Sequence, residues 1–208
     1  MSSDMQPAAN ALCVALEGYD DARARELLGE LIEWCGVDVV AGRVVPLLLG
    51  ALNRRLRFNQ VCRAQRDFAR GTLADCLLSL ARGWANGDGP RAIIASTSGL
   101  RREIPLIGFG LALRRQGWRI SYLGCDAPMA VLLDAVRALG PRLVVLGCPP
   151  GAASHRLYPK LRTLAAEAPL ALFGASPSVA VSLCAMRIGD DVVAEARRIS
   201  AAALASLV

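Results

Sequence analysis

The hydrophobic period changes once along this chain, at residues 85–90, and that change restricts the possible folds more than any other feature. From about residue 8 to residue 84, apolar residues recur at intervals of three and four, which predicts α-helices. Residues 85–90 read Ala-Asn-Gly-Asp-Gly-Pro, a concentration of turn formers. Short β-rich runs alternate with helical stretches after it. The pattern predicts a helical domain over residues 8–86, followed by an α/β domain over residues 90–208.

The first half is predicted to be a bundle of four helices. A turn separates the first helix from the second, whose N-cap position suits Asp20 or Asp21. The second helix is expected to end at Gly36 and the third to cover residues 37–55. Asn59 is the predicted N-cap of a long fourth helix. Tryptophans at the ends of these helices, Trp34 and Trp84, are expected to pack the bundle.

The β-rich runs of the second half follow one another at the spacing of successive βα units, about 25 residues. They lie at residues 92–95, 120–123, 143–146 and 170–173, with a weaker fifth at 187–188. The runs are apolar on both sides, as in strands of a parallel sheet that is covered by helices. The sequence therefore predicts a doubly wound α/β domain behind the helical bundle.

The loops after these strands are the predicted binding region. In a doubly wound sheet the ligand crevice lies beyond the carboxyl ends of the strands. Three of the four loops begin with glycine, at Gly124, Gly147 and Gly174. Glycine permits a close approach of the backbone to a flat or phosphate-bearing ligand. We expect a ligand at this edge of the sheet.

The composition indicates a folded protein with an unusual balance of basic residues. Of the 208 residues, 54% are hydrophobic and 20% charged, and the formal net charge is +6. Lys160 is the one lysine, so arginine supplies almost all of the positive charge. Two interpretations stay open: a coding bias with arginines spread over helix faces, or guanidinium groups that hold an anionic ligand or nucleic acid.

Cysteine usage and hydropathy predict a cytoplasmic protein. The seven cysteines form no C-x-x-C pair and no zinc-ligand spacing, which is typical of a reducing compartment. The N-terminal residues are polar and do not resemble a secretion leader. The longest uncharged run, residues 168–186, contains glycine, proline and serines, so it predicts a strand, a turn and a helix instead of a membrane span.

The sequence gives no support for an enzyme. A single histidine cannot build an evident Ser-His-Asp set, and no paired acidic motif is present. The sequence contains no Walker loop and no G-x-G-x-x-G loop. The partial match Gly108-Phe109-Gly110 falls within a helical pattern and not in a loop after a strand.

Two segments of the second half resemble a known family. Residues 111–128, LALRRQGWRISYLGCDAP, and 141–148, PRLVVLGC, resemble the cobalamin-binding domains of photoreceptor-type transcriptional regulators, the CarH-like proteins. In that family a four-helix bundle directly precedes a flavodoxin-like (Rossmann-like) domain and caps the upper face of the corrin. The resemblance covers the chain from about residue 8 and implies a cobalamin-binding-type fold.

The ligand-holding positions of that family are replaced here. Its Gly-Glu-x-His loop, which supplies the lower axial ligand of cobalt, corresponds to Gly99 through Arg102, so an arginine stands where the family has histidine. A guanidinium group stays protonated and cannot ligate cobalt. The tryptophan and the Glu-His pair of the family's bundle correspond to Arg55, Arg66 and Asp67.

Two further family positions also differ. Gly147 replaces a serine after the third strand, and Gly174-Ala175 replaces a double glycine after the fourth. The resemblance then implies a pocket that is surrounded by guanidinium groups, those of Arg55, Arg66, Arg101 and Arg102. Such groups suit carboxylates, which favours haem or a bilin such as biliverdin over histidine-ligated cobalamin. Cobalamin without that histidine, and a domain that binds no ligand, remain alternatives.

Three side chains are candidate metal ligands. His155 follows the third strand and is the imidazole available to a haem iron, although a loop histidine is more often a surface residue. Cys125 and Cys148 end strands, where a thiolate with a lowered pKa binds iron or senses oxidants. The alternative for both cysteines is simple core packing.

These residues and the resemblance predict a non-enzymatic sensory or regulatory protein that binds a tetrapyrrole. No winged helix-turn-helix precedes the bundle, so we expect action through a protein partner, a transcription factor, and not direct binding of DNA. The resemblance extends to stand-alone antirepressors and makes a homo-oligomer an expectation. A ligand-free interaction scaffold and a corrinoid carrier for a methyltransferase or mutase are the alternatives.

Overall fold

The chain folds as two compact units, Met1–Arg82 and Gly83–Val208. The computed structural model describes residues 5–97, 103–148 and 157–205. The division lies slightly before the boundary that the sequence indicates, because Trp84 belongs to the second unit. Its carbonyl oxygen accepts from the Ile120 amide at 2.8 Å, and its ring packs edge-on against Tyr122 at 5.9 Å. The expectation that Trp84 packs the bundle is therefore wrong.

The first unit is helical throughout its described elements. These are α1 (Met5–Glu17), α2 (Asp21–Cys35), a short α3 (Val37–Val39), a π-helical segment (Val40–Val44), α4 (Val45–Arg57) and α5 (Arg63–Ser79). The predicted third helix is thus divided, and Pro46, which has no amide hydrogen to donate, lies in the first turn of α4 directly after the π-helical segment. The core of the first unit contains buried leucines, including Leu12, Leu16, Leu28, Leu31, Leu52, Leu73 and Leu77.

Two helix starts show where local sequence rules held and where they failed. The Asp20 carboxylate accepts from the Arg23 amide at 3.0 Å and caps α2, as predicted. Asn59 does not cap α5, because it has a left-handed φ of 54° just after α4. The N-cap is Cys62, whose amide donates to the Gln65 side chain at 2.8 Å in a capping box. Cysteine is an unusual cap, so this N-cap could not be predicted from the residue type.

The second unit contains a parallel five-stranded sheet, as predicted. Its strands are β1 (Arg91–Ser96), β2 (Arg119–Gly124), β3 (Leu143–Gly147), β4 (Leu170–Phe173) and β5 (Met186–Ile188). The spatial order is β2-β1-β3-β4-β5, which is the flavodoxin-like order. The helices are α6 (Glu103–Arg115), α7 (Met129–Leu139), α8 (Tyr158–Glu167), α9 (Pro177–Ser182) and α10 (Val192–Ala205).

Helices cover the sheet in two layers. The helices α7, α8 and α9 pack on one face through a continuous apolar cluster that includes Leu132, Leu164 and Val179. The helices α6 and α10 pack together elsewhere in the unit, where the buried Trp118 indole donates to the Ser200 hydroxyl at 2.8 Å. The Gly108-Phe109-Gly110 stretch lies inside α6, as its helical pattern indicates.

Among the described residues, no single helix has the length and hydrophobicity to cross a membrane, and only Asp21–Cys35 with Val37–Arg57 meets that criterion as a pair, across a bend of 118°.

Candidate functional site

The strand order places a topological switch point between β1 and β3, where the crevice of a doubly wound sheet opens. Ser96 of β1 pairs in register with Gly147 of β3. Beyond this pair, the amide and the hydroxyl of Thr97 both donate to the Gly147 carbonyl oxygen, at 3.1 and 3.2 Å. Both Ser96 and Thr97 are buried. The ends of the two strands are therefore fixed together at the predicted crevice.

The loops that leave this point fall outside the described residues. They contain Gly99, Arg101 and Arg102 after β1, and His155 after β3. The roles predicted for these four residues remain predictions.

The loop after β2 is fixed by its backbone. Gly124 has a φ of 80°, and Asp126 also lies in the left-handed region, with a φ of 63°. The turn brings the Ala127 amide to the Ser96 carbonyl oxygen at 3.0 Å. A Cβ atom added to Gly124 would meet no atom within 4 Å. Within the protein, glycine is thus required at this position by its φ and not by a close contact.

A half-buried tyrosine joins β2 to the start of α6. The Tyr122 hydroxyl donates to the Glu103 carboxylate at 3.2 Å, and the ring contacts Trp84. Burial, together with the negative charge of Glu103, raises the pKa of Tyr122 far above its usual value. Tyr122 therefore stays a neutral donor that holds the Glu103 carboxylate beside the loop after β1.

Cys148 faces the core instead of a polar site. Its amide donates to the Phe173 carbonyl oxygen at 2.8 Å, and its side chain is fully buried in the cluster under α7, α8 and α9. Burial raises the pKa of the Cys148 thiol to about 12. The condition for a reactive thiolate, a lowered pKa, is therefore not met at this residue. Among the described residues, no group of three His, Cys, Asp or Glu side chains could hold a metal ion.

The loop after β4 combines a glycine turn with a helix start. Gly174 has a φ of 86°. Ala175, which stands where the family has a second glycine, is buried in the same cluster as Cys148. The Ser176 hydroxyl accepts from the Val179 amide at 3.4 Å and caps α9. The methyl group of Ala175 thus fills core space at the carboxyl edge of the sheet.

In the helical unit, the predicted ligand arginines already have carboxylate partners. Arg55 forms an ion pair with Glu17, whose carboxylate also accepts from the Cys13 thiol at 3.2 Å. Arg66 donates twice to Asp67, at 3.0 and 2.6 Å. Two of the four guanidinium groups that the sequence assigned to an anionic ligand are therefore engaged within their own unit.

Glu17 is the organising residue that sequence reasoning missed. It ends α1, and its main-chain oxygen accepts from the Gln65 side chain at 2.8 Å, so it connects α1 with α4 and α5. Burial and the neighbouring Glu17 carboxylate raise the pKa of the Cys13 thiol to about 11. The partners of Glu17, which are Cys13, Arg55 and Gln65, lie 4, 38 and 48 residues away in the chain. No local sequence pattern therefore predicts that these side chains meet.

Comparisons with known proteins agree with this geometry. No protein-family model matches the chain. Over 58 residues, 28% of this chain, it is 43% identical to the HTH-type transcriptional repressor CarA of Myxococcus xanthus. The match spans only a fifth of that repressor's length, 20%. The fold matches the monomethylamine corrinoid protein of Methanosarcina barkeri with a TM-score of 0.72 and 14% identity, over 92% of this chain and 96% of that one.

The similarity to CarA concerns a quarter of the chain, and the likeness to the corrinoid protein concerns the fold. The resemblance of this chain to the cobalamin-binding-like regulator family is therefore confirmed, by homology to CarA over 58 residues and by a corrinoid-protein fold over most of its length.

Proposed function

We propose that this protein is a non-enzymatic regulator that binds a cobalamin-class tetrapyrrole at the carboxyl edge of its sheet, without an axial histidine, and acts on transcription through a protein partner. The observation that carries the proposal is the flavodoxin-like strand order with its switch point between β1 and β3. The corrinoid-protein fold and the similarity to a repressor support the ligand class and the regulatory role.

The chemistry of the donor set decides the binding mode. Arg102 occupies the position of the family's lower axial ligand, and its guanidinium group has no lone pair for cobalt. Ligation of cobalt by a histidine at that position therefore does not fit this chain. A cobalamin carries its own lower base and would need no protein ligand on the metal. The protein would need only a complementary surface at the edge of the sheet and hydrogen bonds to the corrin amides. When bound, such a group supplies a cobalt centre whose upper ligand can change.

This chain's own residues supply rigidity at that edge. Thr97 fixes the ends of β1 and β3 together, and the left-handed turns at Gly124 and Gly174 direct the neighbouring loops. The Tyr122 hydroxyl holds Glu103 at the start of α6. A site that is organised before binding loses less entropy when the ligand is ordered.

A corrinoid carrier is the second candidate, because the fold match is to a monomethylamine corrinoid protein. The family loop that carries the axial histidine would support it, but this chain reads Leu100-Arg101-Arg102-Glu103 there. A ligand-free interaction scaffold is the third. It is favoured by the engaged Arg55 and Arg66, and by the methyl group of Ala175 in the core.

An absorption titration separates these candidates. The full chain is titrated separately with hydroxocobalamin, adenosylcobalamin, haem and biliverdin. We expect a stoichiometric change with a cobalamin whose spectrum keeps the base-on form. A base-off spectrum contradicts the proposed binding mode, and a haem or biliverdin band in place of a cobalamin change contradicts the ligand class. Flat spectra throughout leave only the scaffold.

Arg102→Ala tests the role of arginine at this edge. We expect the variant to keep cobalamin binding within about twofold, because corrin amides gain little from a guanidinium group, whereas an anionic tetrapyrrole would lose about tenfold in affinity. Arg142→Ala is the matched control, since Arg142 is exposed at the opposite end of β3 in the same unit. Equal losses of affinity in both variants would indicate a general charge effect.

A further inference from the structure

A groove in the helical unit is lined by none of the residues that the sequence predicts to hold the ligand. It runs between α1 and the segment formed by the π-helical turn and α4, and it holds a cavity of about 180 Å³. The lining is mostly apolar and includes Ala9, Val44, Leu47, Leu48 and Ala51, together with Arg54. The size and the lining suit one large apolar side chain.

Two large apolar side chains of the α4 segment are exposed. Leu47, which lines the groove, is 54% exposed, and Phe58, at the end of α4, is 74% exposed. Leu47, Ala51, Arg54 and Phe58 are spaced by four, three and four residues, so they follow one face of the α4 segment. An exposed apolar stripe beside a cavity marks a surface that binds another molecule.

Arginines predominate among the charged residues of the α4 side of the groove. Arg54 lines it, and Arg43 and Arg57 are exposed on the same segment. Among the described residues, no carboxylate pairs with any of these three arginines. The acidic residue of α1 in this part of the chain, Glu17, is engaged by Arg55. The groove therefore lacks counter-charges, and a partner with carboxylates would supply them.

We propose that this groove is the docking site for an acidic amphipathic helix of the partner, a proposal that rests on the partner-mediated action proposed above. One apolar side chain of that helix enters the cavity beside Leu47, and its flanking carboxylates meet Arg54 and Arg57. A second copy of this chain is disfavoured, because a two-fold pairing would bring the same arginines together. A nucleic acid would satisfy the arginines but leave the cavity and Leu47 exposed.

The probe is a designed, fluorescein-labelled helical peptide of about 18 residues, which spans slightly more than α4. It carries leucines at helical spacing on one face and glutamates beside them. Fluorescence anisotropy with the full chain should show binding of this peptide. Versions with lysine for glutamate, or alanine for leucine, should bind at least tenfold more weakly, roughly the effect of losing one good interface contact.

Variants of the protein locate the site. Arg54→Glu and Leu47→Asp should each weaken peptide binding by about tenfold or more, because they reverse the charge or remove the apolar contact. Arg162→Glu is the matched control, since it makes the same charge change on an exposed position of α8 and should stay within about twofold of the unchanged protein. Circular dichroism checks that each variant keeps its helix content.

Several outcomes would overturn the docking proposal. These are no binding of the acidic peptide, equal binding of the lysine version, or an equal loss in Arg162→Glu. A dimer in analytical ultracentrifugation that Leu47→Asp dissociates would assign the groove to a second copy, and duplex DNA binding that Arg54→Glu removes would assign it to nucleic acid. The cobalamin titration of Leu47→Asp separates the two proposals. If the variant loses peptide binding but keeps the spectral change with cobalamin, the substitution affects docking and not the ligand site.

Discussion

Single side chains at the carboxyl edge of the sheet are fixed by burial more than by charge. Cys148 is the clearest case, because its thiol sits in an apolar cluster and its pKa is raised to about 12. In the unfolded chain the thiol has its ordinary value, near 9.0. Between these values the folded protein holds a proton that the unfolded chain has lost, so the fold loses stability as the pH rises.

This difference in pKa predicts a pH dependence that belongs to one residue. The contribution of Cys148 is fully present below pH 9 and is lost as the pH rises toward 12. The free energy of unfolding should therefore fall by about 1 kcal/mol more between pH 8 and pH 10 in the unchanged protein than in Cys148→Ala. Urea unfolding at both pH values measures the difference. Parallel declines in the two proteins would mean that the thiol titrates normally.

Two helical glycines should respond in opposite ways to the same substitution. A Cβ atom on Gly110 would lie 2.8 Å from Cη2 of Trp84 and 3.0 Å from Cδ1 of Ile94, whereas one on Gly71 would meet nothing within 4 Å. Gly71→Ala should stabilise the protein by about 0.5–1 kcal/mol through helix propensity. Gly110→Ala should destabilise it by about 1–3 kcal/mol through overpacking. Thermal unfolding tests the signs, and two stabilised variants would contradict the close packing of Trp84.

At the scale of helices and strands, the ends are decided by individual hydrogen bonds. Asp20 caps α2 through the Arg23 amide, while its neighbour Asp21 binds Arg25 and the Thr72 hydroxyl instead. The sequence offered both aspartates as caps. Only the position of α5 beside α2 explains why Asp21 has a different task, since Thr72 lies 51 residues further along the chain.

The caps carry a testable contrast. Asp20→Ala should cost about 1 kcal/mol of unfolding free energy, because the Arg23 amide loses its acceptor. Asn59→Gly should leave stability unchanged within about 0.5 kcal/mol, because the left-handed φ of 54° favours glycine and Asn59 does not cap α5. Urea unfolding of both variants checks the contrast. An equal loss in the two would restore the original assignment of Asn59 as a cap.

At the scale of the whole molecule, the boundary between the units lies at residues 82 and 83 and not after the turn-rich segment 85–90. Trp84 explains the shift. Its ring packs against Tyr122 and close to the α6 glycine Gly110. Its carbonyl oxygen accepts a hydrogen bond from the Ile120 amide in β2. A residue that ends a helical pattern in the sequence is therefore part of the α/β core.

Two fragments test this boundary. A fragment of residues 83–208 should fold and unfold cooperatively, because it keeps Trp84 and its contacts. A fragment of residues 90–208, cut where the sequence indicated, should be less stable by about 3 kcal/mol or more, the usual cost of removing a buried aromatic side chain. Circular dichroism during thermal unfolding measures both. Equal stabilities would place the boundary after the turn-rich segment.

The sequence alone determined the class of fold, because a change of hydrophobic period is a local property that each segment carries by itself. It predicted all five strands to within one residue at each end, the fifth only weakly. It also located the helical half and identified the resemblance that the CarA similarity and the corrinoid-protein fold confirm. Gly124 and Gly174 could also be anticipated as turns, since a strand must end at a residue that tolerates the reversal.

Only the tertiary structure decided what the charged and buried side chains do. Arg55 was predicted to hold a ligand, yet it pairs with Glu17, 38 residues away in the chain. Cys148 was a candidate thiolate, yet burial keeps it protonated. An ion pair and a desolvated thiol depend on which distant segments meet, and a helical or strand period contains no information on that. The strand pattern could therefore be deduced from the sequence, while the partners of its arginines could not.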